Sequence, residues 1–179
     1  RTPIRDAFSR LTSEGLLDVY PQSGTYISKI DLEKVKEAVF LRSTIEIEAV
    51  KRACENFNEE DFVFLDSNFR KQKFAIKNNK LNDFRKYDNE MHEYFFVGNG
   101  FKHTWKLINN FSFDYHRIRK LKLDLNFRTE ETLKEHEEII NSIEQRNKKK
   151  AVKQIKQHIE YVYEDLEVIR NKYPGYFLD

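Results

Sequence analysis

Along most of the chain, apolar residues recur every three or four positions, the spacing that lines one face of an α-helix. Ile4, Ala7, Phe8 and Leu11 begin the pattern, with Thr2 expected as N-cap and Pro3 at the first helical position. Gly15 is expected to end that helix. Leu17 and Val19, then Tyr26 and Ile27, fall in two β-prone runs around Pro21-Gln22-Ser23-Gly24, which predicts a hairpin. From Asp31 the helical period persists. Asp31 is the expected N-cap, Ile30 and Val35 a hydrophobic staple, and Val35, Val39, Ile45, Ala49 and Ala53 an apolar stripe. Further helices are predicted from Glu59 to Lys77, Asn82 to Val97, Lys102 to Leu125, Thr129 to Gln145 and Lys148 to Lys172. Asn58, Asn78-Asn79, Gly98-Asn99-Gly100, Asn126 and Asn147 separate them. Connections this short make successive helices antiparallel neighbours, so an all-α bundle is expected after the opening helix and hairpin.

Composition agrees with that reading. Five Gly and three Pro in 179 residues are too few for the turns of a sandwich, barrel or doubly wound sheet. Fifteen Phe and nine Tyr supply large apolar area from few positions, enough for a core at 39% hydrophobic residues. Cys54, the single cysteine, reads as a small core residue in a reduced compartment. No apolar run approaches the length of a membrane span, which predicts a cytoplasmic protein with no membrane partner. Net charge is +2, so no global field points to nucleic acid. The chain opens on Arg1 inside what resembles a structural unit and is expected to be a piece of a longer protein.

Helical phase separates the five histidines. Asp88 and His92 are four apart, on a face that also carries Phe84, Tyr87, Met91 and Phe95. His136 is in phase with Leu133, Ile139 and Ile140, and His158 with Ile155 and Val162, so both are expected to face the core. His116 and His103 read as surface residues. A buried imidazole needs partners for both ring nitrogens, and a divalent ion would satisfy three inward histidines and one aspartate together. Each histidine taken alone is more often a packed core residue than a ligand.

Enzyme signatures are mostly missing. The positions three before His92, His136 and His158 hold Asn89, Leu133 and Ile155, not the Glu of a carboxylate-bridged dimetal bundle. There is no His-Glu-x-x-His pair, no Gly-rich phosphate loop and no Gly-x-Ser-x-Gly elbow. The protein is therefore expected not to be an enzyme. An all-α metalloenzyme using an Asp/His3 site is the rival reading.

Several stretches resemble the FadR branch of the GntR family of bacterial transcription regulators, whose helical effector domain is called FCD. Arg1-Thr2-Pro3-Ile4-Arg5-Asp6-Ala7-Phe8 is similar to its recognition helix, and Pro21-Gln22-Ser23-Gly24-Thr25-Tyr26-Ile27 to its wing. Arg42-Ser43-Thr44-Ile45-Glu46 is similar to the Arg-x-x-Leu-Glu near the start of the effector domain. Asp88-x-x-x-His92 with Gly98-Asn99, Glu135-His136-x-x-Ile139 and Ile155-x-x-His158 match its metal-site motifs, with Met91 in place of the usual Phe.

The resemblance implies the end of a winged helix-turn-helix over residues 1–30, its first helices missing, and an all-α FCD domain over 31–179. It implies a divalent metal, zinc or nickel, held by Asp88, His92, His136 and His158. A small carboxylic or sugar acid would be contacted by Arg42, Asn99 and Arg119. Operator DNA would be touched by Arg1, Thr2, Arg5, Ser23, Gly24 and Thr25, in a homodimer. An FCD regulator without metal, its histidines hydrogen-bonding the acid directly, is the second alternative.

Overall fold

Residues 2–178 are described in the computed structural model. Arg1 lies outside them. The elements are α1 (Thr2–Ser13), β1 (Leu17–Tyr20), β2 (Gly24–Ile27), α2 (Leu32–Asn56), α3 (Glu59–Lys77), α4 (Leu81–Val97), α5 (Lys102–Phe111), α6 (Phe113–Asp124), α7 (Thr129–Glu144), α8 (Lys148–Glu160) and α9 (Val162–Lys172), then a 3-10 turn at Pro174–Tyr176.

Polar residues between the apolar stripes set the helix ends. The Asp31 carboxylate accepts from Glu33 N at 2.9 Å, and Ile30 and Val35 are both buried beside it. Asn58 forms a capping box with Asp61, and Asn147 Oδ1 accepts from Lys150 N at 3.1 Å. Asn79 and Asn126 take left-handed backbone angles, φ 53° and 48°, which ends α3 and α6 without glycine.

Beyond one-residue shifts at Leu81, Asp124 and Glu144, three features differ from expectation. Thr2 is the first helical residue of α1, not its cap. The helix expected from Lys102 to Leu125 divides at Ser112, whose hydroxyl donates to Ile108 O at 2.6 Å and competes with the helical ladder. The helix expected from Lys148 to Lys172 divides at Tyr161, where no glycine or proline marks the break.

The predicted hairpin is present, with Leu17 opposite Ile27 and Tyr20 opposite Gly24, and Gln22 and Gly24 at positive φ in the turn. In the bundle α2 packs on α4, α5, α6, α7 and α8, and α3 packs on α4 and α7. Cys54 is buried there with Val50, Ala53 and Phe57. Among the described residues no helix is long and apolar enough to cross a membrane.

The segment joining hairpin and bundle is clamped from two sides. Arg117 on α6 donates to Ser28 O at 2.5 Å and pairs with Asp114, whose other oxygen accepts from Asp31 N at 3.0 Å. From the other side Ile30 bridges in parallel to Phe177, with Ile30 N donating to Tyr176 O and Leu178 N to Ile30 O.

Candidate metal centre

Three helices bring the four expected residues together. Asp88 and His92 come from α4, His136 from α7 and His158 from α8, and one ligand atom of each lies within 4.8 Å of all the others. His92 Nε2 is 3.2 Å from His158 Nε2 and 3.3 Å from Asp88 Oδ1, which stands 3.7 Å from His136 Nε2. His92 and His136 are 1% and 0% exposed.

Every Nδ1 is occupied on the far side of its ring. His92 Nδ1 donates to Glu46 Oε1 of α2, His136 Nδ1 to Gln72 Oε1 at 2.6 Å, and His158 Nδ1 to Glu135 Oε2 at 2.8 Å. Gln72 leaves no ambiguity about its roles, because its Nε2 donates to Asn68 Oδ1 at 2.8 Å. With the ring protons on Nδ1, the three Nε2 atoms are lone pairs pointing at one another and at a carboxylate. Lone pairs 3.2 Å apart with no proton between them repel. Among the described residues His136 Nε2 and Asp88 Oδ1 have no hydrogen-bond partner at all. Buried atoms of this kind are costly unless something binds them, and a divalent cation fits the donor set of three imidazoles and one carboxylate.

A further layer holds the first. Arg119 binds Asp88 Oδ2 and donates to Asn89 Oδ1 at 2.7 Å; Arg42 donates to Glu46 Oε2 at 2.9 Å; Arg128 donates to Glu135 Oε1 at 3.2 Å. Such outer partners orient metal-binding histidines and raise their basicity. Spacing alone does not reveal Gln72 or Glu135 in this role, and Glu46 enters the sequence picture only within the Arg42–Glu46 motif. Polar residues on otherwise apolar faces were the available signal, as Gln72 and Glu46 are both 0% exposed.

Electrostatics follow the geometry. Burial opposes the Asp88 charge, but Arg119 and the histidines outweigh it and hold the carboxyl well below the usual range. Burial opposes the Glu46 charge as well, yet Arg42 and His92 pull it down to about 2. Burial, with the neighbouring imidazoles, keeps His136 and His158 neutral far below the ordinary histidine value. Glu135 is pushed up to about 7 by burial, against Lys122 and Arg128.

Other expected residues are placed differently. Arg119 lines a cavity of about 40 Å³ with Asp88, Tyr115, Lys122, Thr129, Asp165 and His158. Arg42 does not line it; its guanidinium lies buried between Trp105 and Tyr115 and fixes Glu46. Asn99 does not line it either: its Nδ2 donates to Ala49 O and Phe95 O, and its Oδ1 accepts from Asn56, tying the end of α4 to α2. His116 is not the surface residue expected. It is half-buried with Nε2 3.2 Å from Asn109 O, and burial with Arg119 and Arg42 nearby takes its pKa down to about 3. His103 is exposed, as expected.

These neutral histidines give a pH prediction. His116, His136 and His158 bind fewer protons folded than unfolded, so their contribution to stability is complete above about 6.5 and is lost as pH falls below it. Glu135, raised to about 7, acts in the opposite sense over a narrower window. The metal-free protein is expected to lose thermal stability from pH 7 to pH 5 by scanning calorimetry, and His116→Asn to lose less over that interval. A flat profile would contradict the assigned burial of charge-free imidazoles.

The sequence matches the FCD domain family over residues 37–161. The chain belongs to that family. The FCD match contains all four clustered residues and the α2 pair Arg42 and Glu46. Among curated proteins it is similar to the HTH-type transcriptional repressor RspR of Escherichia coli, 28% identical over 177 residues, 99% of this chain and 78% of the relative. Among solved structures E. coli McbR/YncC has a TM-score of 0.80 at 16% identity, covering 96% of this chain and 85% of that one. The Zn2+-bound FCD domain of TM0439 has a TM-score of 0.62 at 20% identity, covering 82% and 99%. This protein is a transcription regulator with an FCD domain.

Proposed function

We propose that the FCD domain, residues 31–179, binds a divalent metal, zinc or nickel, through Asp88, His92, His136 and His158, and that a small carboxylic acid joins it there to control DNA binding. The carrying observation is the convergence of three lone-pair Nε2 atoms on Asp88 Oδ1, two of the four atoms being buried without a partner. A bound metal would supply a Lewis-acid position for a ligand carboxylate. Arg119 lines the adjacent cavity and stands ready to pair with that carboxylate, while Asp88 and Asn89 hold its guanidinium in place. The cavity has room for about one or two waters, so an acid enters by displacing lining side chains.

Residues 1–30 are read as the end of a winged helix-turn-helix, working in a homodimer. Arg1, Thr2, Arg5 and the wing tip Ser23, Gly24 and Thr25 would contact operator DNA. Thr2, Arg5 and the wing tip are exposed, as that role requires. Helix α6 supports the coupling: Arg119 and Tyr115 line the cavity, and Arg117 and Asp114 grip Ser28 and Asp31 between the wing and α2. A ligand can change DNA affinity only by its differential affinity for two arrangements, and a helix touching both sites is the means by which such a difference is transmitted.

Hydrogen exchange of the full chain with and without zinc tests this. Zinc is expected to slow exchange around residues 88–92 and also at 28–31, and Arg117→Ala to abolish the effect at 28–31 alone. A zinc effect confined to the bundle in the unaltered chain would contradict the coupling.

A further inference from the structure

Residues 2–27, comprising α1, β1 and β2, are joined to the bundle by very little. None of the α1 residues is buried, and every residue of β2 is exposed. Among the described residues no hydrogen bond or ion pair runs from 2–27 to any helix from α2 to α9. Ser28 is the last residue tied to this unit, its N donating to Leu16 O at 3.1 Å and its hydroxyl to Gly15 O at 2.6 Å. How the unit sits on the bundle therefore depends on residues 28–31, which Arg117 and Asp114 of α6 hold from one side.

Residues 173–178, which follow α9, hold the other side. Ile30 spends both of its backbone groups on them: its N donates to Tyr176 O at 2.7 Å, and its O accepts from Leu178 N at 3.0 Å. Ile30 and Phe177 are 1% and 2% exposed where the two backbones meet, while Tyr176 and Leu178 on either side are half exposed. Little else anchors the segment. A groove of about 570 Å³, lined by Leu32, Leu166, Arg170 and Pro174, separates α9 from the start of α2. Helix α9 itself buries only Val162, Asp165 and Ile169. Two backbone hydrogen bonds and one buried ring beside an open groove make a contact that opens without unfolding the bundle.

We propose that residues 173–178 are a releasable strap that sets the orientation of residues 2–27 on the bundle. Docked at Ile30, the strap and Arg117 fix the joining segment from two sides, and the unit takes one orientation. Released, it leaves the unit tethered through Arg117 and Asp114 alone. A loosened unit must be ordered again when it meets its target, so release weakens binding. That consequence rests on the reading of residues 1–30 as a DNA-contacting unit; the strap depends neither on that reading nor on a metal or an acid.

Hydrogen exchange and amide nitrogen relaxation of the full chain test it. Leu178→Pro removes the donor to Ile30 O without touching the bundle core, and Phe177 already has the extended backbone, φ −106° and ψ 149°, that a following proline requires. Exchange at the Ile30 amide is expected to rise about fivefold or more in Leu178→Pro, the scale of one hydrogen bond, and to stay unchanged in Leu178→Ala, which keeps the donor. Phe177→Ala is expected to let the amides of residues 2–27 tumble faster than those of α4, whose own relaxation stays constant and reports a folded bundle. Phe177→Leu should restore common tumbling. Unchanged Ile30 exchange in Leu178→Pro, an equal rise in Leu178→Ala, or residues 2–27 still tumbling with α4 in Phe177→Ala overturns the strap and leaves the metal reading standing.

Discussion

Zinc affinity is expected to fall at least about a hundredfold in His136→Ala and in His158→Ala, measured by competition with a chromophoric chelator. His136 Nε2 is 0% exposed with no other partner, and Gln72 fixes the ring through Nδ1, so no neighbouring side chain can replace it. Gln72→Leu removes only that fixing contact and belongs in the range of outer-layer losses, about 10- to 100-fold. His116→Ala should leave zinc affinity unchanged, because His116 turns its Nε2 to Asn109 O and contributes no atom to the cluster. Equal losses in all three histidine variants would contradict the argument from helical phase and the geometry together.

The second large effect concerns the ion pair behind His92. Arg42 and Glu46 are 1% and 0% exposed, the Glu46 carboxylate is shared between Arg42 and His92, and two guanidinium nitrogens of Arg42 have no acceptor among the described residues. Arg42→Met leaves a buried carboxylate with one partner. It is expected to destabilise the metal-free protein by about 3–5 kcal/mol in chemical denaturation. Adding Glu46→Gln should recover part of that loss, because the stranded charge is then gone, so the double variant is more stable than the sum of the singles predicts. A loss under about 1 kcal/mol for Arg42→Met would contradict the buried pairing.

Much of this was legible in the residues. Asp31, Asn58 and Asn147 act as caps because short polar side chains between apolar stripes have backbone donors to satisfy. The inward phase of Asp88, His92, His136 and His158 follows from the 3.6-residue period, and the structure brings the four together. What spacing does not give is which distant side chain meets which. Glu135 adjoins His136 in sequence yet orients His158, since consecutive helical residues point about 100° apart. Asn99, a ligand contact implied by the resemblance, uses its amide to tie the end of α4 to α2. Helix breaks at Ser112 and Tyr161 carry no glycine or proline and depend on a single back-bonding hydroxyl in the first case. His116 reads as exposed from its polar neighbours, whereas packing around Asn109 half-buries it.

The near-neutral net charge also has a physical reading at the level of residues. Within the site each anion has its own cation, Glu46 with Arg42, Asp88 with Arg119, Glu135 with Arg128 and Asp165 with Lys122. Opposite charges cancel in the total while remaining fixed locally, and that fixed arrangement lets the imidazoles of His136 and His158, kept neutral by burial, lie beside the Asp88 carboxylate in a buried space.

The most direct test of the metal centre is anomalous scattering at the zinc absorption edge from crystals of the unaltered chain grown with zinc. One strong peak enclosed by Asp88, His92, His136 and His158 is expected, and it disappears in His136→Ala. An empty cluster in zinc-grown crystals, or a peak held by other residues, would contradict it.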